Sequence, residues 1–292
     1  MTSAVVLKKV HLPNEETLGY RECGSGDKIL LLIHGNMTSS KHWDLLMENI
    51  PDIFKVYAID LRGFGISTYN NSISSIKDFS DDIKLFVDAL KIDTFTIMGW
   101  SMGAAVAMQF AIDYSSRVEN LILMSGASIK GIQIYNNPLC TMVLNSQFGF
   151  EKMFSQFLSE FKTANKIYFK NLWDIMVYNH NKPSEDRYTE YLDDMVTQKN
   201  MLDCNHALSV FNISNDFNGA VNGNSDVKKI EVPTLIIHGD RDKIVPIETA
   251  FENKEAIGVN ARLEILRDCG HSPLIDKLDD LISLLVYFLY KK

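Results

Sequence analysis

Between Thr94 and Tyr114 the chain reads T-F-T-I-M-G-W-S-M-G-A-A-V-A-M-Q-F-A-I-D-Y. A short apolar run with Phe95, Ile97 and Met98, suited to a buried strand, meets Gly99, Ser101 and Gly103. A helical pattern of small residues (Ala104, Ala105, Ala107, Ala111) follows. The two glycines let the backbone pass close to itself, so Ser101 can occupy a strained turn with its hydroxyl raised above the strand end. That hydroxyl then sits at the positive end of the following helix, where free N–H groups favour developing negative charge. Strand, sharp turn and helix around G-x-S-x-G form the nucleophile-elbow pattern in the context its mechanics require, which makes Ser101 the candidate nucleophile.

The rest of the chain fits a parallel sheet around this unit. Lys28 to Ile33, Phe54 to Ile59, Val118 to Met124, Thr234 to Ile237 and Arg262 to Leu266 are apolar runs of strand length, of the kind buried on both faces of such a sheet. Helical patterns separate them: one capped by Ser39 or Ser40 and running to about Asn49, one over Ser75 to Leu90, one around Ile247 to Ile257, and a last one from about Ile275. Val5 to Leu12 and Leu18 to Cys23 suggest an opening antiparallel hairpin. The fold class is therefore α/β, a mostly parallel twisted sheet with helices on both faces. From Ala127 to Ser225 no buried-strand run appears. Helical patterns near Phe150 to Phe161, Asn165 to Tyr178, Ser184 to Gln198 and Met201 to Phe211 take over, and the Asn/Gly/Ser-rich stretch Asn212 to Asp226, suited to a hinge or loop, closes them. This divides the chain into a core, 1–126 and 226–292, and a helical insertion, 127–225.

A serine hydroxyl needs an adjacent base, and the base needs a carboxylate to fix its tautomer. Of the seven histidines, His11, His42, His180 and His206 fall in the hairpin, a helix or the insertion. His34 and His238 close strands just before glycines, where turn bracing is expected. His271 alone combines a strand-end loop with a late position, and it is the candidate base. For the acid, the strand ending at Met124 leads into Ser125-Gly126-Ala127-Ser128 with no carboxylate. The strand ending at Ile237 leads into His238-Gly239-Asp240-Arg241-Asp242. Asp242, further out in the loop, is preferred to Asp240, which is expected to brace the turn. Acyl transfer also develops an oxyanion, and preorganised N–H donors around it lower the barrier by several kcal/mol. The Met102 and Asn36 amides are the candidates.

With His34-Gly35, Asp60-Leu61-Arg62-Gly63-Phe64-Gly65-Ile66-Ser67, Gly99 to Gly103, Gly239-Asp240-Arg241-Asp242 and Gly270-His271 in the order Ser, Asp, His, the chain resembles the α/β-hydrolase family over nearly its whole length. The resemblance implies a Ser101-His271-Asp242 triad, an oxyanion hole at Asn36 and Met102, and a helical cap (lid) over the active site. It leaves the reaction open among esterases, lactonases, thioesterases, carbon–carbon hydrolases, cofactor-free peroxidases and hormone receptors. Serine at the elbow argues against the dehalogenases and epoxide hydrolases of this fold, which use aspartate there. Lidded serine carboxylesterases and lactonases fit best. Ala104 departs from the glycine of close relatives and is expected to tighten the space behind the elbow. The insertion's Phe148, Phe150, Met153, Phe154, Phe157, Phe161, Trp173 and Met176 suggest an apolar pocket, and Trp100 is a candidate substrate contact.

The expected activity is hydrolysis of small-molecule esters with small to medium apolar acyl groups, with no cofactor and no metal. A net charge of −8 and a pI near 5.4, without a basic stripe, argue against nucleic acid as partner. The longest apolar stretch, Leu281 to Tyr290, is about half of what a bilayer span needs, so stable membrane insertion is not expected. No signal-peptide core precedes Val10. Four scattered cysteines (Cys23, Cys140, Cys204, Cys269) then read as reduced thiols of a cytoplasmic protein. Oligomeric state leaves no mark in the sequence.

Overall fold

A computed structural model describes residues 4–132 and 147–290. Eight strands form one sheet in the order β1-β2-β4-β3-β5-β6-β7-β8. The hairpin strands β1 (Val6–His11) and β2 (Thr17–Cys23) pair antiparallel, and β2 joins β4 (Phe54–Ile59) antiparallel. From there β3 (Lys28–Ile33), β5 (Phe95–Trp100), β6 (Val118–Met124), β7 (Thr234–Gly239) and β8 (Ala261–Leu266) run parallel. The fold class read from the sequence is the one observed.

The apolar strands serve both faces because successive side chains alternate. Leu31, Ile33 and Ile97 join a core with Phe79, Phe86 and Phe110, carried by α2 (Ile76–Ala89) and α3 (Met102–Asp113). Leu30, Leu32 and Met98 join a second core with Trp43, Leu46 and Leu285, from the flank formed by α1 (Asp44–Asn49) and a C-terminal helix. One element on this flank departs from expectation. The helix expected after Ser39 begins as a 3-10 turn, Ser40–Trp43, whose first amides Ser39 caps by accepting from Lys41 N–H at 3.1 Å, and only then becomes α1.

Between β6 and β7 lie α4 (Gln147–Lys162), α5 (Lys166–Met176), α6 (Glu185–Met195) and α7 (Met201–Ser209). Trp173, Tyr178, Tyr188 and Tyr191 from this segment share the second core with Trp43 and Trp100, so the helices pack on the sheet side rather than standing apart. Asn212 to Asp226 folds as a compact loop. Asn212, Ser214 and Asn218 are buried, and Asn218 Nδ2 donates to the Lys130 carbonyl at 2.9 Å. Its Asn and Ser side chains satisfy turn backbone, a use that composition shares with hinges. After β7 come α8 (Ile247–Ile257), α9 (Pro273–Asp276) and α10 (Leu278–Tyr290). The expected last helix is thus two, broken at Lys277. Among the described residues no helix is long and apolar enough to cross a membrane, and no His/Cys/Asp/Glu group has metal-binding geometry.

Candidate active site

Ser101 sits between β5 and α3 with φ 56° and ψ −119°, a left-handed conformation that a non-glycine residue holds only under constraint. The constraint comes from close packing on either side. A Cβ at Gly99 would lie 2.1 Å from the Gly103 carbonyl oxygen, and one at Gly103 would lie 2.3 Å from that of Ile33. Strand and helix therefore cross too closely for any side chain at these two positions. Behind the elbow Ala104 fills the space as expected, with its Cβ 2.7 Å from where a Cβ on Gly126 would stand.

Loops from three other strands converge on the serine. The loop after β3 brings Gly35, whose Cα lacks a side chain where Ser101 Cβ approaches, and then Asn36. Among the described residues neither the Asn36 nor the Met102 amide has a protein acceptor. Met102 heads a helix, where an amide has no intrahelical partner, and Asn36 lies in a tight turn. Both line cavities that also contain Ser101. His34 braces this loop as its position suggested. Its Nδ1 lies 2.7 Å from the Gly35 carbonyl, and its Nε2 takes the Leu61 amide at 3.0 Å. Complete burial pushes its pKa down to about 4, so the ring is neutral.

The loops after β7 and β8 bring the candidate acid and base together. His271 Nδ1 is 2.8 Å from Asp242 Oδ2, and both side chains are almost wholly buried. Asp242 Oδ1 accepts the Ile244 and Val245 amides at 2.8 and 2.9 Å. Burial alone would raise the Asp242 pKa, but His271, His238 and the Val245 amide outweigh it and hold the carboxyl below its ordinary value. His238 donates from Nε2 toward the Val245 carbonyl at 2.9 Å and stands 3.5 Å from Asp242 Oδ2. Burial lowers its pKa, which suits a neutral brace of the acid loop. Asp240 takes the bracing part expected of it: it is exposed and accepts the Cys269 amide at 3.3 Å.

Trp100 has a connection that the sequence did not signal. Its indole N–H donates to the His271 carbonyl at 2.8 Å, and its ring lies 5.7 Å from the imidazole. It also lines the cavity where a substrate contact was expected, and it is 2 % exposed. The cavity, about 350 Å³, joins the strand-end residues Gly35, Asn36, Trp100, Ser101 and His271 to Phe157, Tyr168, Trp173 and Met176 of α4 and α5 and to Met201 and Asn205 of α7. A second cavity, about 690 Å³, reaches Ser101 from the other side past Ala127, Ile132, Leu208 and Val245, with Glu248 and Glu252 at its wall. Of the insertion's apolar candidates, Phe157, Trp173 and Met176 face the first cavity. The side chains of Phe148, Phe150, Met153 and Phe154, like Cys140, lie outside the described residues. Cys23, Cys204 and Cys269 are buried free thiols.

Chemically the arrangement offers a hydroxyl at a helix N-terminus, a buried imidazole oriented by a carboxylate, and two free amides beside the hydroxyl. The family described as alpha/beta hydrolase fold matches residues 28–278. The 2-hydroxy-6-oxononadienedioate/2-hydroxy-6-oxononatrienedioate hydrolase 1 of Pseudomonas putida is 26% identical over 277 residues, covering 92% of this chain and 90% of that protein. Among solved structures, an esterase from Exiguobacterium antarcticum aligns with a TM-score of 0.76 at 19% identity, covering 97% of this chain and 99% of its own. The enol-lactonase from Burkholderia xenovorans LB400 aligns at 0.75 and 19%, covering 97% and 100%.

Proposed function

The chain belongs to the α/β-hydrolase family, and from that premise we propose that it is a serine hydrolase cleaving carboxylic esters of small to medium apolar acyl groups through an acyl-enzyme. One observation carries the reading: Ser101, on its strained elbow beside two acceptor-free amides, shares an apolar cavity with His271, which Asp242 orients. In the proposed reaction His271 Nε2 takes the Ser101 proton as Oγ attacks the ester carbonyl. Asn36 and Met102 N–H receive the oxyanion, and His271 returns the proton to the departing alcohol. Water, activated by the same base, then releases the acid. The helices between 127 and 225 act as a cap whose Phe157, Trp173 and Met176 accept the acyl chain.

A second reading, hydrolysis of a carbon–carbon bond, is favoured by the likeness to the Pseudomonas putida enzyme. The substrate in that enzyme's name is a dioate, and burying its charges calls for cationic partners. Among the described residues lining the two cavities none is Lys or Arg, and the larger one carries Glu248 and Glu252. This lining supports a neutral acyl group.

A fluorophosphonate probe and a series of p-nitrophenyl esters of graded acyl length test the proposal together. Wild type is expected to gain one adduct and to turn over repeatedly, and Ser101→Ala is expected to do neither. Labelling that survives Ser101→Ala, or turnover of 2-hydroxy-6-oxo dienedioates with esters ignored, would overturn it. Single-round acylation without release would instead point to a ligand-binding receptor on this fold.

A further inference from the structure

Gln198, between α6 and α7, is 5 % exposed and uses both ends of its amide on the loop that carries Asn36. Its Oε1 accepts the Met37 amide at 3.1 Å, and its Nε2 donates to Asn36 Oδ1 at 2.8 Å. The same Nε2 donates to Asn200 Oδ1 at 3.1 Å. Gln198 is in turn pinned from below, because Asn200 Nδ2 donates to the Arg62 carbonyl at 2.6 Å and the Lys199 amide to that of Gly63 at 2.8 Å. The loop it reaches needs holding. Met37 has a φ of 59°, which is unfavourable for a side chain of its kind. Among the described residues the Met37 N–H has two acceptors, Gln198 and, at 3.2 Å, the side chain of its own neighbour Asn36.

These contacts fix the residue that matters for the oxyanion. Gln198 grips Asn36 by its side chain and by the peptide that follows it, which together hold its Cα and ψ in place and so restrict where its own N–H can point. A donor that is free to rotate stabilises a developing charge poorly, because it must reorganise during the reaction. We infer that Gln198 is a positioning residue for the oxyanion hole, so that the insertion, besides walling the pocket, holds one of the two amides on which the chemistry depends. The inference rests on the ester-hydrolase reading above.

The test compares Gln198→Met, which keeps the length and removes both polar ends, with Gln198→Glu, which keeps an acceptor for the Met37 amide. Arg187→Met serves as control: it cuts a different tie between α6 and α1, the ion pairs of Arg187 with Glu48 at 2.9 Å and with the buried Asp44, and among the described residues Arg187 makes no hydrogen bond to Asn36 or Met37. Three quantities are measured on the full chain: kcat and KM for a p-nitrophenyl ester, Ki for a trifluoromethyl ketone that forms a tetrahedral adduct with serine, and Tm. Gln198→Met should lose roughly 10- to 100-fold in kcat, with the ketone's affinity falling by the same factor. Its KM should stay within about threefold of wild type. Gln198→Glu should fall between, and it decides the matter if Gln198→Met does not fold. Arg187→Met should lower Tm and leave the ketone's affinity unchanged. Gln198 variants with a lowered Tm but wild-type kcat and ketone affinity would overturn the inference, leaving Gln198 a packing residue. A wild-type protein that neither turns over esters nor binds the ketone would refute the ester-hydrolase reading itself and this inference with it, an outcome distinct from the first.

Discussion

Replacing Asp242 by asparagine probes the proposed triad at its most buried polar contact. In the native protein Oδ1 takes the Ile244 and Val245 amides at 2.8 and 2.9 Å, and Oδ2 faces His271 Nδ1 at 2.8 Å. An asparagine amide keeps its oxygen toward the two loop donors, since an NH2 there would oppose both. Its nitrogen then faces His271, whose Nδ1 must become an acceptor. The ring proton moves to Nε2, the atom that has to take the Ser101 proton, so the fold is kept and the base is held in the wrong tautomer. The carboxylate's charge opposite the developing imidazolium is lost as well. Together these should lower kcat on the order of 10³- to 10⁴-fold, about 4 to 5.5 kcal/mol of barrier. Asp240→Asn is the matched comparison. Its residue is exposed and its carboxylate accepts one hydrogen bond among the described residues, from the Cys269 amide at 3.3 Å, so it should cost less than about 1 kcal/mol of stability and change kcat by no more than about twofold. Steady-state hydrolysis of a p-nitrophenyl ester from pH 6 to 9, with thermal melts of both variants, reads the outcome. Asp242→Asn retaining activity within about tenfold while folded, or Asp240→Asn proving the more damaging, would refute the reasoning.

Three further outcomes follow from other contacts. His34 is neutral and buried with its pKa lowered to about 4, so the unfolded chain binds the extra proton first as pH falls through its ordinary value near 6.5. Stability should therefore drop between pH 6.5 and 4, by on the order of a few kcal/mol for this residue alone, and urea titrations at pH 7 and 4.5 should show that drop reduced in His34→Gln. Trp173→Ala, opening the cavity wall, should shift the preferred acyl chain toward longer esters with the rate of phosphonate labelling at Ser101 changed by less than about threefold; unchanged selectivity would remove Trp173 from the pocket wall. Gly126→Ala would drive a methyl to within 2.7 Å of Ala104 Cβ and should cost about 1 to 3 kcal/mol in a urea melt, largely restored by the double variant with Ala104→Gly.

The elbow was legible because its mechanics are local. Gly99, Ser101 and Gly103 lie within five residues, and the strand and helix around them announce themselves by apolar runs and small-residue spacing. The pairing of His271 with Asp242 over Asp240 could be read from loop position, since a residue further from the strand end has more reach. What stayed hidden depends on contacts between distant parts of the chain. Gln198 meets Asn36 and Met37 across more than 160 positions, and nothing next to it in sequence distinguishes it from any glutamine after a helix. The Trp100 hydrogen bond to the His271 carbonyl spans 171 positions. The Asn/Ser/Gly content of residues 212 to 226 describes turn chemistry without saying whether the turns pack, as the burial of Asn212, Ser214 and Asn218 shows they do.

The placement of the helical insertion also sets an order of events during synthesis. Strands β1 to β6 are complete by Met124, yet β7 begins only at Thr234, about 110 residues later, and closing that span costs about 3 kcal/mol more entropy than a four-residue connection would. A nascent chain can build six strands of the sheet while the edge of β6, with Ile122 and Met124, waits for Thr234 to Ile237 to cover it. During that interval the exposed edge and its apolar face are a site for misassembly, and early folding of the insertion's own helices would shorten the effective span. Ser101 and Asn36 are then in place long before Asp242 and His271 leave the ribosome. On the proposed mechanism a truncated or stalled chain carries the serine without its base, so unfinished protein should neither turn over esters nor take up the phosphonate probe.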